Sequence, residues 1–383
     1  MTIRRVYLDN AASTPMDPEV LQYMIPVLRE SFGNPSSVHD HGRRLRAVIE
    51  KSRKEIAQLI GAAPAEIFFT SGGTEADNMA IKGCAAIGIE HFISTRIEHH
   101  AVTHPLEELE QAGKQVTWLP VDEEGRPDLD ALRAALENGP RAMVCLMHAN
   151  NELGTLLDLS GIADICAEYD AIVHSDTVQS MANVRYNVSA MPVHFLTASA
   201  HKFYGPKGVG FLYMRSGTKV PSMICGGSQE RNMRAGTENV ASIAAMAFAL
   251  KKCYGSFIEK GKKLLDLKNY MWEGLQARIP GIAINGPTDF SRAIPTVLNV
   301  AFPGGDTDSM LLFNLDINGI SASGGSACTS GSVKGSHVLS GIGLDPARAA
   351  NSVRFSFGVQ NTHDEIDYVL EKISGFIKVP APK

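Results

Sequence analysis

The sequence is poor in the features that would mark a membrane, secreted or nucleic-acid-binding protein. It has no run of about 18 apolar residues, which argues against a transmembrane helix. Its opening, Met1 to Asp9, carries two arginines but no long apolar stretch, so no secretory signal is expected. Six cysteines stand far apart, at 84, 145, 166, 225, 253 and 328, with no C-x-x-C pair. That spacing weakens a zinc site and a disulfide framework alike, and a reducing compartment, the cytoplasm, is the expectation. Charge is nearly balanced, 36 basic residues against 41 acidic, for a net −5. No basic stripe or tail stands out, so nucleic acid is not the expected partner. What remains is an ordinary soluble composition, 44% hydrophobic and 20% charged, in 383 residues.

What is present alternates. Leu45, Val48, Ile49, Ile56, Leu59 and Ile60 recur at helical spacing over 40–60, and Gly61 can end that helix. Strands are expected at 67–70, 91–95, 115–119, 142–148, 171–176, 194–196 and 209–214. Helices are expected from the Gly72-Gly73 turn to about 88, from about 101, over 128–137 and over 159–169. Strands separated by helical stretches predict an α/β fold with a doubly wound, mostly parallel sheet. A helical region over about 239–277 then leads to an α+β part, with strands near 296–302 and 353–357 and helices near 307–316 and 363–376.

Ligands of such sheets bind beyond the carboxyl ends of the strands, and that is where the chemistry-bearing residues fall. Lys202 follows the strand ending near Leu196 and precedes Gly205-Pro206-Lys207-Gly208. It is either a surface lysine before a turn or, if buried, an amine whose pKa is lowered enough for Schiff-base chemistry. Ser199 and His201 beside it offer groups for a phosphate. Ser71-Gly72-Gly73-Thr74 joins a strand to a helix N-terminus, an anion cradle or a plain turn. Asp176 ends a strand, where it either caps the next turn or pairs with a cationic ring nitrogen, and Gln179 lies three residues on. His99 could stack on an aromatic cofactor. His100 and His104 are four apart, but no third ligand stands at metal spacing. Asn34, in the polar loop 32–39, is either part of a connection or a donor and acceptor at a pocket lip.

A second reactive element lies near the C-terminus. Ten of the 17 residues in 321–337 are Gly or Ser, which predicts a mobile segment. Cys328 stands in its middle with no aliphatic bulk beside it. It is either inconsequential or a tethered nucleophile that can visit a pocket and carry cargo away. Arg354, on an expected strand, would clamp a carboxylate or form a structural ion pair.

Together these residues resemble the cysteine desulfurases of the NifS/IscS type, in the class V aminotransferase family. The most specific pieces are Ser199-Ala200-His201-Lys202, Gly325-Ser326-Ala327-Cys328-Thr329-Ser330, and Gln229-Glu230-Arg231 followed by Gly236-Thr237. The resemblance runs from Tyr7-Leu8-Asp9-Asn10 to Arg354-Phe355-Ser356. It implies the fold type I architecture of aspartate aminotransferase, with a large domain over 16–252 and a small one from 1–15 and 253–383 carrying the loop 321–337. It implies pyridoxal 5'-phosphate held covalently by Lys202, with Asp176 on the ring nitrogen, His99 stacked on the ring and Gln179 at the ring oxygen. Gly73, Thr74, Ser199 and His201 would hold the phosphate, with Thr237 reaching in from the second subunit of a homodimer. Asn34, Asn151 and Arg354 would orient the carboxylate of L-cysteine, with Asn151 also contacting the cofactor. Cys328 would take the substrate sulfur as a persulfide and pass it to an acceptor protein, an iron–sulfur scaffold or a thiolation enzyme. No resident metal is implied, with Cys328 at most a transient iron–sulfur ligand. A selenocysteine lyase or other β-eliminase, and a non-catalytic homologue that only binds partners, are the alternatives.

Overall fold

The computed structural model describes residues 4–30, 32–303, 310–324 and 335–377. The chain opens with strand β1 (Val6–Tyr7), helix α1 (Pro18–Glu30) and helix α2 (Asp40–Ile60). α2 lies where its apolar spacing places it. His39 accepts the Gly42 N–H at its start, and Gly61, at φ +70°, closes it by donating to Ala57 O. α1 had no counterpart among the expected elements. Val20 of it is buried, Met24 and Val27 pack against the same core, and Pro26 sits inside it.

Strands and helices then alternate: β2 (Ile67–Thr70), α3 (Gly73–Ala86), β3 (His91–Thr95), α4 (His100–Gln111), β4 (Gln115–Leu119), α5 (Leu129–Glu137), β5 (Ala142–Cys145), α6 (Leu159–Glu168), β6 (Ile172–Asp176), β7 (Phe195–Ser199) and β8 (Gly210–Met214). They form one sheet in the order β2-β8-β7-β6-β5-β3-β4. β8 runs antiparallel to both neighbours and the other pairs are parallel. Successive residues feed opposite faces. Phe68, Phe92, Met143 and Ile172 enter one hydrophobic core, while Phe69, Ile93, Val144 and Val173 enter another. With both faces covered, the inner strands are buried at every residue. β5 ends at Cys145 rather than 148, although the Leu146 and His148 N–H groups still bond to carbonyls of β6.

The expected helical region over 239–277 is two helices, α7 (Val240–Gly255) and α8 (Phe257–Arg278), separated at Ser256. The break has a packing reason. α7 fills the core under the large sheet, whereas Leu264, Leu267, Met271 and Leu275 of α8 belong to a different core. That second core gathers β9 (Ala283–Ile284), β10 (Val297–Ala301), α9 (Leu311–Ile317), β11 (Ile320–Ser321), β12 (Ser352–Ser356) and α12 (His363–Phe376), whereas Val338 and Leu339 of α10 (His337–Gly341) and Ala349 of α11 (Pro346–Ala350) pack in a separate cluster with Ile97 and Leu153. Its antiparallel sheet has the order β12-β10-β9, and β1 pairs with β11. Val6 and Leu8 pack into the same core, so the N-terminal segment returns to the C-terminal part. Among the described residues no helix is long and apolar enough to cross a membrane.

Candidate active site

A cavity of about 480 Å³ opens beyond the carboxyl ends of β2, β6 and β7, a size suited to a small cofactor. Gly73, Thr74, His99, Asn151, Asp176, Gln179, Ser199, His201, Lys202 and Arg354 all line it. These residues come from segments more than 280 positions apart in the chain, brought together by strand ends and by the return of β12.

One wall is the start of α3. The first N–H groups of a helix have no partner within it, so they and the helix dipole favour an anion. Gly73 is required there by space. A Cβ on it would lie 2.6 Å from Val178 Cγ2, in the segment that follows Asp176. Thr74, Ser199 and His201 line the same cavity, with Lys207 nearby. His201 Nδ1 lies 3.2 Å from Ser13 Oγ. Burial, helped by Lys202 and Lys207, pushes its pKa down to about 4, so the ring is neutral at ordinary pH.

Asp176 is buried and its Oδ1 accepts the Val178 N–H at 2.8 Å. Burial and the nearby Asp77 push its pKa up to about 6, against the opposing pull of His99. A cationic partner in the cavity would therefore be strongly attracted to it. His99 caps α4. Its Nδ1 accepts the Ala101 N–H at 3.1 Å, which fixes the neutral tautomer with the proton on Nε2. Burial lowers its pKa, opposed by Asp176.

Lys202 sits in the short turn after β7. Its Nζ donates to Ala11 O at 2.6 Å and Ala12 O at 2.9 Å. Gln179 Nε2 donates to the same Ala11 O at 2.8 Å. Arg354, on β12, is fully buried and makes both roles foreseen for it geometrically available. It donates to Asn151 O at 2.8 Å and pairs with Asp9 at 3.0 Å. Its Nε–H is buried without a protein partner among the described residues. An orphaned guanidinium donor beside a cavity suits a carboxylate.

Three singled-out residues are not brought to this cavity. Asn34 is exposed, and its Oδ1 accepts the Ser36 N–H at 2.9 Å within its own loop. Thr237 is exposed in the loop before α7. Cys328 lies outside the described residues. The geometry also adds groups that the sequence reading passed over. Asp77 lines the cavity, one helical turn beyond Gly73, and that spacing was a usable signal. His337 of α10 packs tilted against His100, with centroids 4.3 Å apart, and His100 stacks on His104 at 4.5 Å. Among the described residues no set of three His, Cys, Asp or Glu could hold a metal ion.

The donor set fits pyridoxal 5'-phosphate. The α3 N-terminus and its neighbouring hydroxyls suit the phosphate, Asp176 the ring nitrogen, His99 a ring face, Lys202 the aldehyde and Arg354 an amino-acid carboxylate. The family description Aminotransferase class-V matches residues 6–369. A protein of Dictyoglomus turgidum named cysteine desulfurase IscS is 45% identical over 378 residues, covering 98% of this chain and 95% of that one. A solved NifS-like protein superposes with a TM-score of 0.90 at 35% identity, covering 97% of this chain and 99% of its own. The solved structure of SspA in complex with cysteine is 32% identical, with a TM-score of 0.81, covering 92% of this chain and 98% of its own. The chain thus belongs to the aminotransferase class-V family, among the pyridoxal-phosphate-dependent cysteine desulfurases of the NifS/IscS type.

Proposed function

We propose that Lys202, Asp176, His99, Arg354 and Cys328 together remove sulfur from L-cysteine in this chain, giving L-alanine and a persulfide on Cys328. The observation that carries this assignment is the placement of Lys202 and Arg354, an amine and a carboxylate receptor, on the cavity that Asp176 also lines. Arg354 orients the substrate through its carboxylate, with Asn151 beside it. Bound pyridoxal 5'-phosphate supplies an electron sink that stabilises negative charge at the substrate Cα. Asp176 keeps a positive charge at the ring nitrogen by remaining ionised next to it. His99 would cover the ring face, with its free proton on Nε2. Lys202 Nζ takes the α-proton and returns protons to carbon. The Cys328 thiolate attacks the substrate sulfur. A sulfur–sulfur bond forms as the substrate carbon–sulfur bond breaks, and the electron pair stays with the carbon skeleton, which leaves as alanine after protonation.

The finer organisation follows the same reading. A large unit over 16–252 and a small one from 1–15 and 253–383 are supported by the separate cores under the two sheets. A homodimer, with the partner subunit covering the exposed loop that holds Thr237, accounts for that residue's distance from this chain's own cavity. Asn34 would reach substrate only with movement of its loop. The sulfur acceptor is a protein, and the working compartment is the cytoplasm.

The test is to incubate the protein with L-cysteine and a reductant and to measure alanine and sulfide. Wild type should give equal amounts. Cys328→Ala should lose both while keeping the absorbance of bound cofactor. Undiminished alanine from Cys328→Ala would refute the persulfide route.

A further inference from the structure

Behind Asp176 lies a buried polar row that the chemistry above does not use. His174 and Asp176 are two residues apart on β6 and so project from the same face. Asp77, on α3, crosses that face and meets His174, with Oδ1 to Nε2 at 3.1 Å. The side chains of both are at most 1% exposed. Thr197 stands opposite Asp176 in the β6–β7 register. Other titratable groups close to Asp176 are Glu98 and His99 before α4 and Lys202 after β7. Glu98 is buried with both oxygens accepting the Met147 N–H, and burial pushes its pKa well up.

We propose that Asp77 and His174 are a positioning pair for the cofactor ring: they share one proton, carry no net charge, and so leave Asp176 as the single ionised carboxylate beneath the ring nitrogen. Two physical facts support it. First, an ionised Asp77 without a compensating proton would be a like charge beside Asp176 in a buried layer, which disfavours ionisation of Asp176. Second, burial drives both partners toward their neutral forms, Asp77 up to about 7 and His174 down to about 4. Asp77 also sits in the first turns of the helix that receives the phosphate. The pair therefore ties the phosphate end of the cofactor site to its ring-nitrogen end.

The inference rests on the cofactor reading above, and the test separates the two. The full-length wild type and Asp77→Asn are equilibrated at pH 6 and at pH 8 with graded pyridoxal 5'-phosphate, and bound cofactor is read by absorbance. At pH 6 the pair holds its proton, so Asp77→Asn should bind within about threefold of wild type. Between pH 6 and 8 Asp77 loses that proton, so wild type should lose affinity about threefold or more relative to Asp77→Asn. Parallel profiles, or a tenfold difference already at pH 6, overturn the proposal. A wild type that takes up no cofactor overturns the site reading and the pair with it.

Discussion

Replacing Lys268 by methionine should stabilise the protein at neutral pH and lose that advantage in base. Lys268 lies on α8, 1% exposed. Its Nζ has one backbone acceptor, Ile294 O at 3.2 Å, and sits 4.2 Å from the Phe290 ring centroid. Burial lowers its pKa from 10.5 to about 7. At about 1.36 kcal/mol per pKa unit, that fall costs about 5 kcal/mol of folding free energy below pH 7. Methionine fills a similar volume and removes this cost. It forfeits the hydrogen bond and the ring contact, about 1–2 kcal/mol together. The net gain is about 3 kcal/mol at pH 6.5. The sign of the pH dependence follows from proton counts. Between pH 7 and 10.5 the unfolded lysine holds a proton that the folded one has lost, so wild-type stability rises by about 1.4 kcal/mol per pH unit. The variant lacks this slope, and its lead vanishes by about pH 9.5. The assay is calorimetric melting of both proteins with saturating cofactor at pH 6.5, 8 and 9.5. All other titrating groups cancel in the difference. A gap that does not narrow with pH, or a variant that melts lower at pH 6.5, would refute the reasoning.

Three further outcomes are expected. Glu230→Gln should destabilise by about 3 kcal/mol, because Arg53, 1% exposed, would lose the carboxylate that holds it at 2.7 and 2.8 Å; replacing both residues by methionine should cost less than the single change, measured by melting. Gly73→Ala should weaken cofactor binding by about 1–3 kcal/mol, read by equilibrium dialysis, since its Cβ would meet Val178 Cγ2 at 2.6 Å and push α3 away from the Asp176 segment. Arg354→Lys should raise the KM for L-cysteine about tenfold to a hundredfold with a smaller change in kcat, because an ammonium cannot serve Asn151 O, Asp9 and a substrate carboxylate together.

Most of the site was legible in the sequence because it follows strand ends, and buried parallel strands are the easiest elements to read. Asp176, Lys202 and Thr74 each stand within a few residues of an apolar run. The polar row behind Asp176 was harder to see. His174 looks like one more residue of a buried strand, and only α3 lying across β6 gives it a partner in Asp77. Helix α1 was missed because Pro26 and exposed apolar residues blur its period. The break at Ser256 was missed because helix-forming residues continue across it, and periodicity does not tell which core a residue will enter. His100 and His104, four apart, were legible as neighbours, but the contact of His337 with His100 was not, since it joins residues more than 230 positions apart.

The segment from Asp9 to Ala12 explains why the N-terminus returns to the C-terminal sheet. Asp9 pairs with Arg354 and accepts from Ser323 Oγ. The Ala11 N–H donates to Ser356 Oγ at 2.8 Å, and Ala11 O receives both Lys202 and Gln179. Arg354 and Ser356 lie on one face of β12, two residues apart. A short strap thus connects the carboxylate receptor on one sheet to the reactive amine beyond the other, with each link a direct hydrogen bond or ion pair.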